Sequence, residues 1–544
     1  MKHFDAIFIG SGHNALIAAA YLARSGWSVL MLEKNDRPGG LVRTEELTLP
    51  GFRHDVYAGA HPFFVTSPAY ADLGEELAAR GLSYVNTDQP TGVSMPSGKT
   101  AVFFRDLEAN IEEADRLAPG DGGAFRQMME ELGAQAADVS PLFGLDLTSA
   151  EAAPYLRRLM LNAAGTGPSA FASELLLPAR DVLEARFRSR AFHALVAPWV
   201  LQLGRTPDGA NSGFWVPMIL ASLMAGGMAT AVGGSGKLAD ALVRLIEDHG
   251  GLIFTGTGVE QILVRDGRAV GVRTEEGEDF AADAVVASVN PDQLYLRLLV
   301  EADLQAPLRR EAARYRYGRG CVQIHLALSE APRFADGRLD RTGLVHLTPG
   351  LLGVSMQVQE ARSGLLPKNP TIAFDSPTVL DPSRAPGGNA TVRLQILEVP
   401  CRPRGDAADS IAVGDGTWTE DLKRRFADRV IGIASRHVPN LPGAILGCHV
   451  VSPDDLSRFS PNQGPGDPYG GSHDLSQSYF FRPLPSQPSH RTAVPNVYML
   501  GAATWPGHGV NGGSGYIVAQ QLLRQGRPTH SRATFDMELA CPQS

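Results

Sequence analysis

Cysteine is scarce: Cys321, Cys401, Cys448 and Cys541 are the only four in 544 residues, with no CxxC pair and no metal-like spacing. That excludes a disulfide framework and a cysteine zinc site, and it fits a reducing compartment. No long basic run occurs, and 49 basic against 58 acidic side chains leave a formal charge of −9. The positive footprint that nucleic acid requires is therefore missing. No Ser-His-Asp arrangement and no cluster of metal ligands stands out, so no metal is expected. A secretory signal is not expected either, because Asp5 interrupts the first apolar run, which leaves the cytoplasm as the expected compartment.

Charge is also absent locally. The stretch 209–236, containing "GFWVPMILASLMAGGMATAV", has no charged residue and is long enough to span a bilayer. Pro217, the Gly226-Gly227 pair and the lack of basic flanks speak against a span. The segment is expected to form a buried wall of a substrate site, with contact to a membrane surface as a further reading. At this length two domains are the natural expectation, and 59 glycines with 38 prolines imply many tight turns rather than disorder.

What is present begins at Phe4. Phe4 to Ile9 reads as a buried parallel strand, and Gly10-Ser11-Gly12-His13-Asn14-Ala15 follows as GxGxxA. In that fingerprint Gly10 permits the turn, Gly12 lets backbone approach a pyrophosphate, and Ala15 lets the helix pack on the strand. The helix expected from Asn14 to Ser25 offers its N-terminal amides to phosphate, and Asn14 starts it. A second strand, Ser28 to Leu32, ends at Glu33, where a carboxylate can accept both hydroxyl hydrogens of a ribose. A lone glycine fingerprint carries little weight; strand, fingerprint, helix, strand and terminal acid in order carry much more. Lys34, Arg37, Gly39 and Gly40 come next. The glycine pair is a second place for backbone to meet a diphosphate, and Arg37 or Arg43 can balance its charge.

Farther on, Val259–Val264 and Ala269–Thr274 flank Asp266-Gly267, a hairpin signal, and the run from Ala284 to Val289 suits a central strand. Near the C-terminus "NVYMLGAATWPGHGVNGGSGYIVAQQLL" reads as a strand from Val497 to Leu500, a turn at Gly501, and a helix opening at Gly512-Gly513. A single fingerprint gives no support for a second, nicotinamide dinucleotide.

The N-terminal "GSGHNALIAAAYLARSGWSVLMLEK", the RxGGxxxT spacing from Arg37 to Thr44, the central "GGSGKLADAL" and the C-terminal "GAATWPGHGVNGGSG" resemble the phytoene desaturase and carotenoid ketolase type of FAD-dependent oxidoreductase, within the amine oxidase superfamily of flavoproteins. "SHDLSQSYFFRPLP" resembles that subgroup too. The resemblance implies an α/β fold: a Rossmann-like FAD domain with a β-meander, and an inserted mixed α+β substrate domain. It implies segments 1–100, 230–300 and 485–530 for the FAD domain, 101–229 and 301–484 for the substrate domain, and a polar tail at 531–544.

It further implies FAD held by Gly10, Gly12, Asn14, Ala15, Glu33, Lys34, Arg37, Gly39, Gly40, Val259, Gly501, Ala502, Gly512 and Gly513, with Val259 meeting the adenine through its backbone. The substrate implied is a long apolar carotenoid- or isoprenoid-like molecule, dehydrogenated or oxidised by hydride transfer to flavin N5, with oxygen or a quinone as acceptor. Oxidation of an amine, redox-neutral isomerisation and lipid carriage are the alternatives on the same fold. A histidine can serve as base or hydrogen-bond donor at neutral pH. His54, Asp55, His61, His473 and His508 are the candidates, with His61 and His508 preferred as catalytic.

Overall fold

The computed structural model describes residues 2–161 and 168–527; the tail expected at 531–544 lies outside the described residues. Strand β1 (His3–Ile9) is buried along nearly its whole length. Its side chains alternate between two cores, Ala6 and Phe8 on one side and Ile7 and Ile9 on the other. A strand covered on both faces needs an almost unbroken apolar run, and this one has it. Helix α1 (His13–Arg24) follows, and then β2 (Val29–Leu32) lies parallel to β1.

The sheet around β1 has seven strands. Leu252–Phe254 lies beyond β2, and Asp279–Ala287 runs parallel to β1 on its other side. The N-terminal part of Asp279–Ala287 takes the antiparallel hairpin Val259–Arg265/Arg268–Thr274, and its C-terminal part takes Val497–Met499. Helix α2 (Gly236–Asp248) and helix α3 (Gly513–Gln525) cover one face with α1. A π-helical turn at Leu294–Leu298 and the chain around Leu308, Ala312 and Tyr315 cover the other.

A second seven-stranded sheet runs Ile445–Val451, Gly320–Leu328, Ala390–Val399, Ile372–Asp375, Leu344–Leu347, Thr91–Ser94, Thr100–Phe103. Thr91–Ser94 pairs in parallel with Leu344–Leu347. Residues 91–100 therefore belong to this sheet, which corrects the expected boundary at 100: the short polar-apolar run "TGVS" carries no mark of which sheet it joins. Helices Arg190–Gln202 and Trp215–Gly226 pack on one face of this sheet, and Glu420–Ala434 on the other.

The uncharged stretch 209–236 contributes the helix Trp215–Gly226, whose Val216, Ile219, Leu220 and Leu223 are buried in the core. No helix among the described residues is long and apolar enough to cross a membrane. Of the whole stretch only Met228 lines the main cavity. The segment is chiefly packing behind the wall, because a helix between sheet and surface layers needs apolar side chains on most of its faces.

Candidate functional site

The turn after β1 opens at the carboxyl ends of the parallel strands, where sheets of this kind bind ligands. Gly12 is the N-cap of α1 and no side chain caps the helix there, so first-turn N–H groups are available to an anion. The turn is locked from below: Gly39 N–H donates to the Ser11 carbonyl, 2.9 Å, and Gly12 bridges Gly39 in parallel. At the end of β2 the buried Glu33 carboxylate accepts from Ser11 N–H and Ser11 Oγ, both 2.8 Å, and from Asn35 N–H, 2.9 Å. Three hydrogen bonds fix its orientation, and a carboxylate has about four lone-pair positions, so it retains capacity for a sugar hydroxyl.

One cavity of about 420 Å³ runs from this turn into the space between the two sheets. Gly10, Gly12, Asn14, Glu33, Lys34, Gly40, Val259, Gly501 and Ala502 all line it. Five residues of the expected set do not. Ala15 is fully buried in the α1 core, the packing role its size serves. Arg37 is 65% exposed and lies near Asp36, while Arg43 is taken by Glu45 and Asp36. Neither balances charge in the cavity; Lys34 and Arg297 line it instead. Gly39 is structural, with φ of +113° and no room for a Cβ, which would meet the Val42 carbonyl at 2.7 Å. Gly512 sets α3 against α1, where its Cβ would meet Ile17 at 2.8 Å, and Gly513 packs against Pro506 and the Phe143 carbonyl, 2.7 and 3.1 Å from an added Cβ. The C-terminal contribution to the cavity comes from 500–502 and 508–510.

Sequence reasoning missed several lining residues. Ser288, Asn290, Gln293 and Arg297 follow the central strand Asp279–Ala287, and the rule that ligands sit outside strand carboxyl ends would have pointed to them. From the second sheet come Gln323, Arg393 and Gln395, together with Trp199, Gln202 and Tyr469. Gln323 pairs with Gln395 in register, and Arg393 lies two residues away on the same strand face. The signal was an alternation: "TVRLQIL" sets two polar side chains on one face of an otherwise apolar strand.

The acids among the lining residues are Glu33, Glu260 and Glu275, in and beside the first sheet. In the half bounded by the second sheet the charged lining side chain is Arg393. Arg393 is held by Asp375, at 3.0 Å from Nε, and by the Tyr57 carbonyl, 2.5 Å from Nη1.

The two preferred histidines differ. His61 is fully buried, lies outside the cavity lining, and uses both ring nitrogens: Nδ1 with Tyr84 Oη at 2.9 Å and Nε2 with Ser235 Oγ at 3.1 Å. It holds the 58–61 loop and, lying outside the cavity lining, does not reach a bound substrate, which corrects that expectation. His508 lines the cavity, with Nε2 at 2.7 Å from the Gln202 carbonyl and Nδ1 at 3.1 Å from His473 Nε2. His54 bonds Thr48 Oγ1 at 2.8 Å, and Asp55 serves a buried ion pair with Arg384. Neither reaches the main cavity.

Burial lowers several of these imidazoles: His54 and His61 to about 4, and His346 to about 3. Unfolded, each returns to near 6.5. Their folded-state values are depressed, so their contribution to stability is present above about pH 6.5 and is lost as pH falls toward 4. Each proton so linked is worth up to about 1.4 kcal/mol per pH unit. The urea midpoint is expected to fall steeply between pH 7 and pH 5, and less steeply in His61→Gln. A flat midpoint across that range would contradict the burial argument.

The residues fit FAD. An uncapped helix start faces the cavity beside Gly12, where a Cβ would meet nothing nearer than Ser288 Oγ at 3.7 Å. The oriented Glu33 carboxylate stands at the far end of the same turn, and the cavity continues past Gly501 to His508. The model for "Flavin containing amine oxidoreductase" matches residues 16–523. Pyridine nucleotide-disulfide oxidoreductase domain-containing protein 2 of Mus musculus is 27% identical, with 96% of this chain and 93% of that protein covered. Phytoene desaturase (neurosporene-forming) of Rhodobacter capsulatus is 26% identical, with 96% and 94% covered. The solved structure of cyclohexylamine oxidase from Brevibacterium oxydans IH-35A superposes with a TM-score of 0.59 at 16% identity, covering 96% of this chain and 99% of that one. That likeness is one of fold.

Proposed function

The chain belongs to the flavin containing amine oxidoreductase family, with FAD as its cofactor, and from that premise we propose that it dehydrogenates a long apolar, isoprenoid- or carotenoid-like substrate. When bound, FAD supplies a hydride acceptor. The chain's own residues do the rest: they bind the hydrocarbon, exclude water and hold the scissile C–H in place. The observation that carries the reading is the charge of the inner cavity. Trp199, Met228, Leu344 and Leu397 present apolar surface there, and among the described residues the one charged lining side chain of that half is the cation Arg393. A protonated amine would find no carboxylate lining that half and would meet a like charge. A neutral hydrocarbon loses nothing by the presence of Arg393, which is already paired with Asp375. The single dinucleotide fingerprint supports oxygen or a quinone, rather than a nicotinamide, as the final acceptor.

The test is anaerobic mixing of FAD-loaded enzyme with terpenes, carotenoids, retinoids, alcohols and amines, followed at the oxidised flavin bands. Bleaching is expected with an apolar polyene or terpene. Bleaching by amines alone would overturn the substrate class. In Arg393→Gln the rate with the apolar substrate is expected to change less than tenfold, since no charge complementarity is lost.

A further inference from the structure

Arg205 is a buried cation without an anion. Only 7% of it is exposed, and among the described residues no carboxylate forms an ion pair with it. Its Nη1 reaches Asn211 Oδ1 at 3.5 Å and its Nη2 reaches Ser478 Oγ at 3.4 Å, both long contacts to neutral oxygens. A guanidinium has five N–H hydrogens, so Nε–H and one hydrogen on each Nη have no partner among the described residues. Two aromatic rings stand beside it, with centroids 5.1 Å (Trp215) and 5.5 Å (Tyr479) from Cζ. Such rings contribute about 0.5–2 kcal/mol, less than the several kcal/mol that an unpaired buried ion costs.

A second guanidinium adds to the imbalance. Arg482 is also buried, and its hydrogen bonds go to neutral acceptors: the Ser472, Gln477 and Ala502 carbonyls and His473 Nε2. Burial, with Arg482 adding like charge, holds Arg205 below the ordinary guanidinium value. A guanidinium nevertheless keeps its proton in a protein, so the positive charge remains.

Arg205 lines a second cavity, of about 470 Å³, which shares no lining residue with the main one. The buried Thr206 lines it too, and its hydroxyl has no hydrogen-bond partner among the described residues. Ser476 Oγ accepts from Arg316 Nη2 at 2.6 Å, which leaves its own hydrogen to give. Ala210, Leu475 and the 45% exposed Phe481 supply apolar wall. One carboxylate, Asp474, is also present; its side chain is 46% exposed and lies 3.9 Å from Arg362.

These features select among anions. One planar guanidinium fork matches one carboxylate. Asp474 at the edge opposes a second negative charge, so a phosphate dianion fits less well than a monoanion. The apolar wall, with the Phe481 ring open to the cavity, suits an aromatic body. We propose that this cavity binds a small aromatic monocarboxylate, its carboxylate on Arg205 and Thr206 and its ring against Phe481 and Leu475.

Calorimetry on the FAD-loaded enzyme tests the site with benzoate, its neutral counterpart benzamide, and inorganic phosphate. One benzoate per chain is expected, bound about tenfold or more tighter than benzamide or phosphate. In Arg205→Gln the benzoate affinity is expected to fall by about tenfold or more, and in Arg393→Gln to stay within about threefold. No benzoate binding, equal affinity for benzamide, or a preference for phosphate would overturn the proposal. Binding lost in Arg393→Gln but kept in Arg205→Gln would place benzoate in the main cavity and equally overturn it. Ala210→Trp decides the matter if Arg205→Gln does not fold. Position 210 is exposed at the second cavity, and an indole there is expected to fill the space, abolishing benzoate binding while FAD stays bound. Undiminished benzoate binding in that variant would remove the site. Because the two cavities have no lining residue in common, each of these outcomes leaves the dehydrogenase reading where it stood.

Discussion

Gly12→Ala is expected to fold normally and to lose at least a hundredfold in affinity for FAD, whereas Gly515→Ala is expected to fail in folding. The two glycines lie near one another in the fold, and the difference is what surrounds each missing Cβ. At Gly12 the new methyl would meet only Ser288 Oγ, at 3.7 Å, and φ is −59°, which any residue adopts. The free chain accommodates it: the N-cap preference against alanine and the lower conformational entropy of the unfolded chain are each about 1 kcal/mol and oppose each other. A pyrophosphate laid against that backbone would be displaced, and a hundredfold in affinity is about 2.7 kcal/mol.

At Gly515 the methyl would lie 2.2 Å from the Asn14 carbonyl oxygen, where α3 presses on the start of α1. Backbone cannot rotate away as a side chain can, so the helices must separate, with a cost of several kcal/mol expected from overpacking of this kind. Flavin absorbance after gel filtration, with thermal unfolding of both apoproteins, checks the pair. A Gly12→Ala protein that keeps its flavin would mean that the pyrophosphate lies elsewhere.

That contrast also shows where the sequence was legible. Order along the chain was enough for the cradle: the strand, the glycine turn, α1, β2 and Glu33 are local, and their geometry follows from neighbours in sequence. The reading weakened wherever a role depends on the far side of the fold. Arg37 looked like a phosphate partner because it precedes Gly39-Gly40, yet its side chain turns to solvent. Gly512 and Gly513 looked like a flavin-facing helix start, yet Gly512 is small because α1 is close and Gly513 because Pro506 and the Phe143 carbonyl are.

The uncharged stretch 209–236 signalled burial correctly, but composition does not say whether a buried helix lines a cavity or stands behind its wall. Arg393, Gln395 and Gln323 were the reverse case: polar residues in apolar strands read as irregularities until the sheet register brought them together. His61 and His508 were indistinguishable as letters. Both have partners on both ring nitrogens; what separates them is that His508 lines the main cavity and His61 does not.

A large loss of stability is also expected from Arg384→Met. Arg384 has no exposed surface and lies between two carboxylates, 3.0 Å from Asp55 and 2.9 Å from Asp381, while its Nη2 donates to the Ala231 carbonyl at 2.9 Å. Asp55 in turn accepts from Ser235 N–H and Thr44 Oγ1, both 2.7 Å, and Asp381 accepts from Gly233 N–H, 2.7 Å. Three chain segments distant in sequence meet on this one guanidinium, and the 57–60 loop that lines the main cavity is tied to them through Ser235 Oγ and the Ala58 carbonyl. Removing the cation leaves two buried carboxylates facing each other, for which a cost of about 3–5 kcal/mol is typical.

If unpaired charge is the cause, neutralising a partner should return part of the loss. Asp381→Asn combined with Arg384→Met is therefore expected to be less destabilised than the sum of the single changes, by about 1–3 kcal/mol in a double-mutant cycle. Strict additivity would locate the cost in lost packing volume, and the ion network would then have no special role in holding the cavity loop.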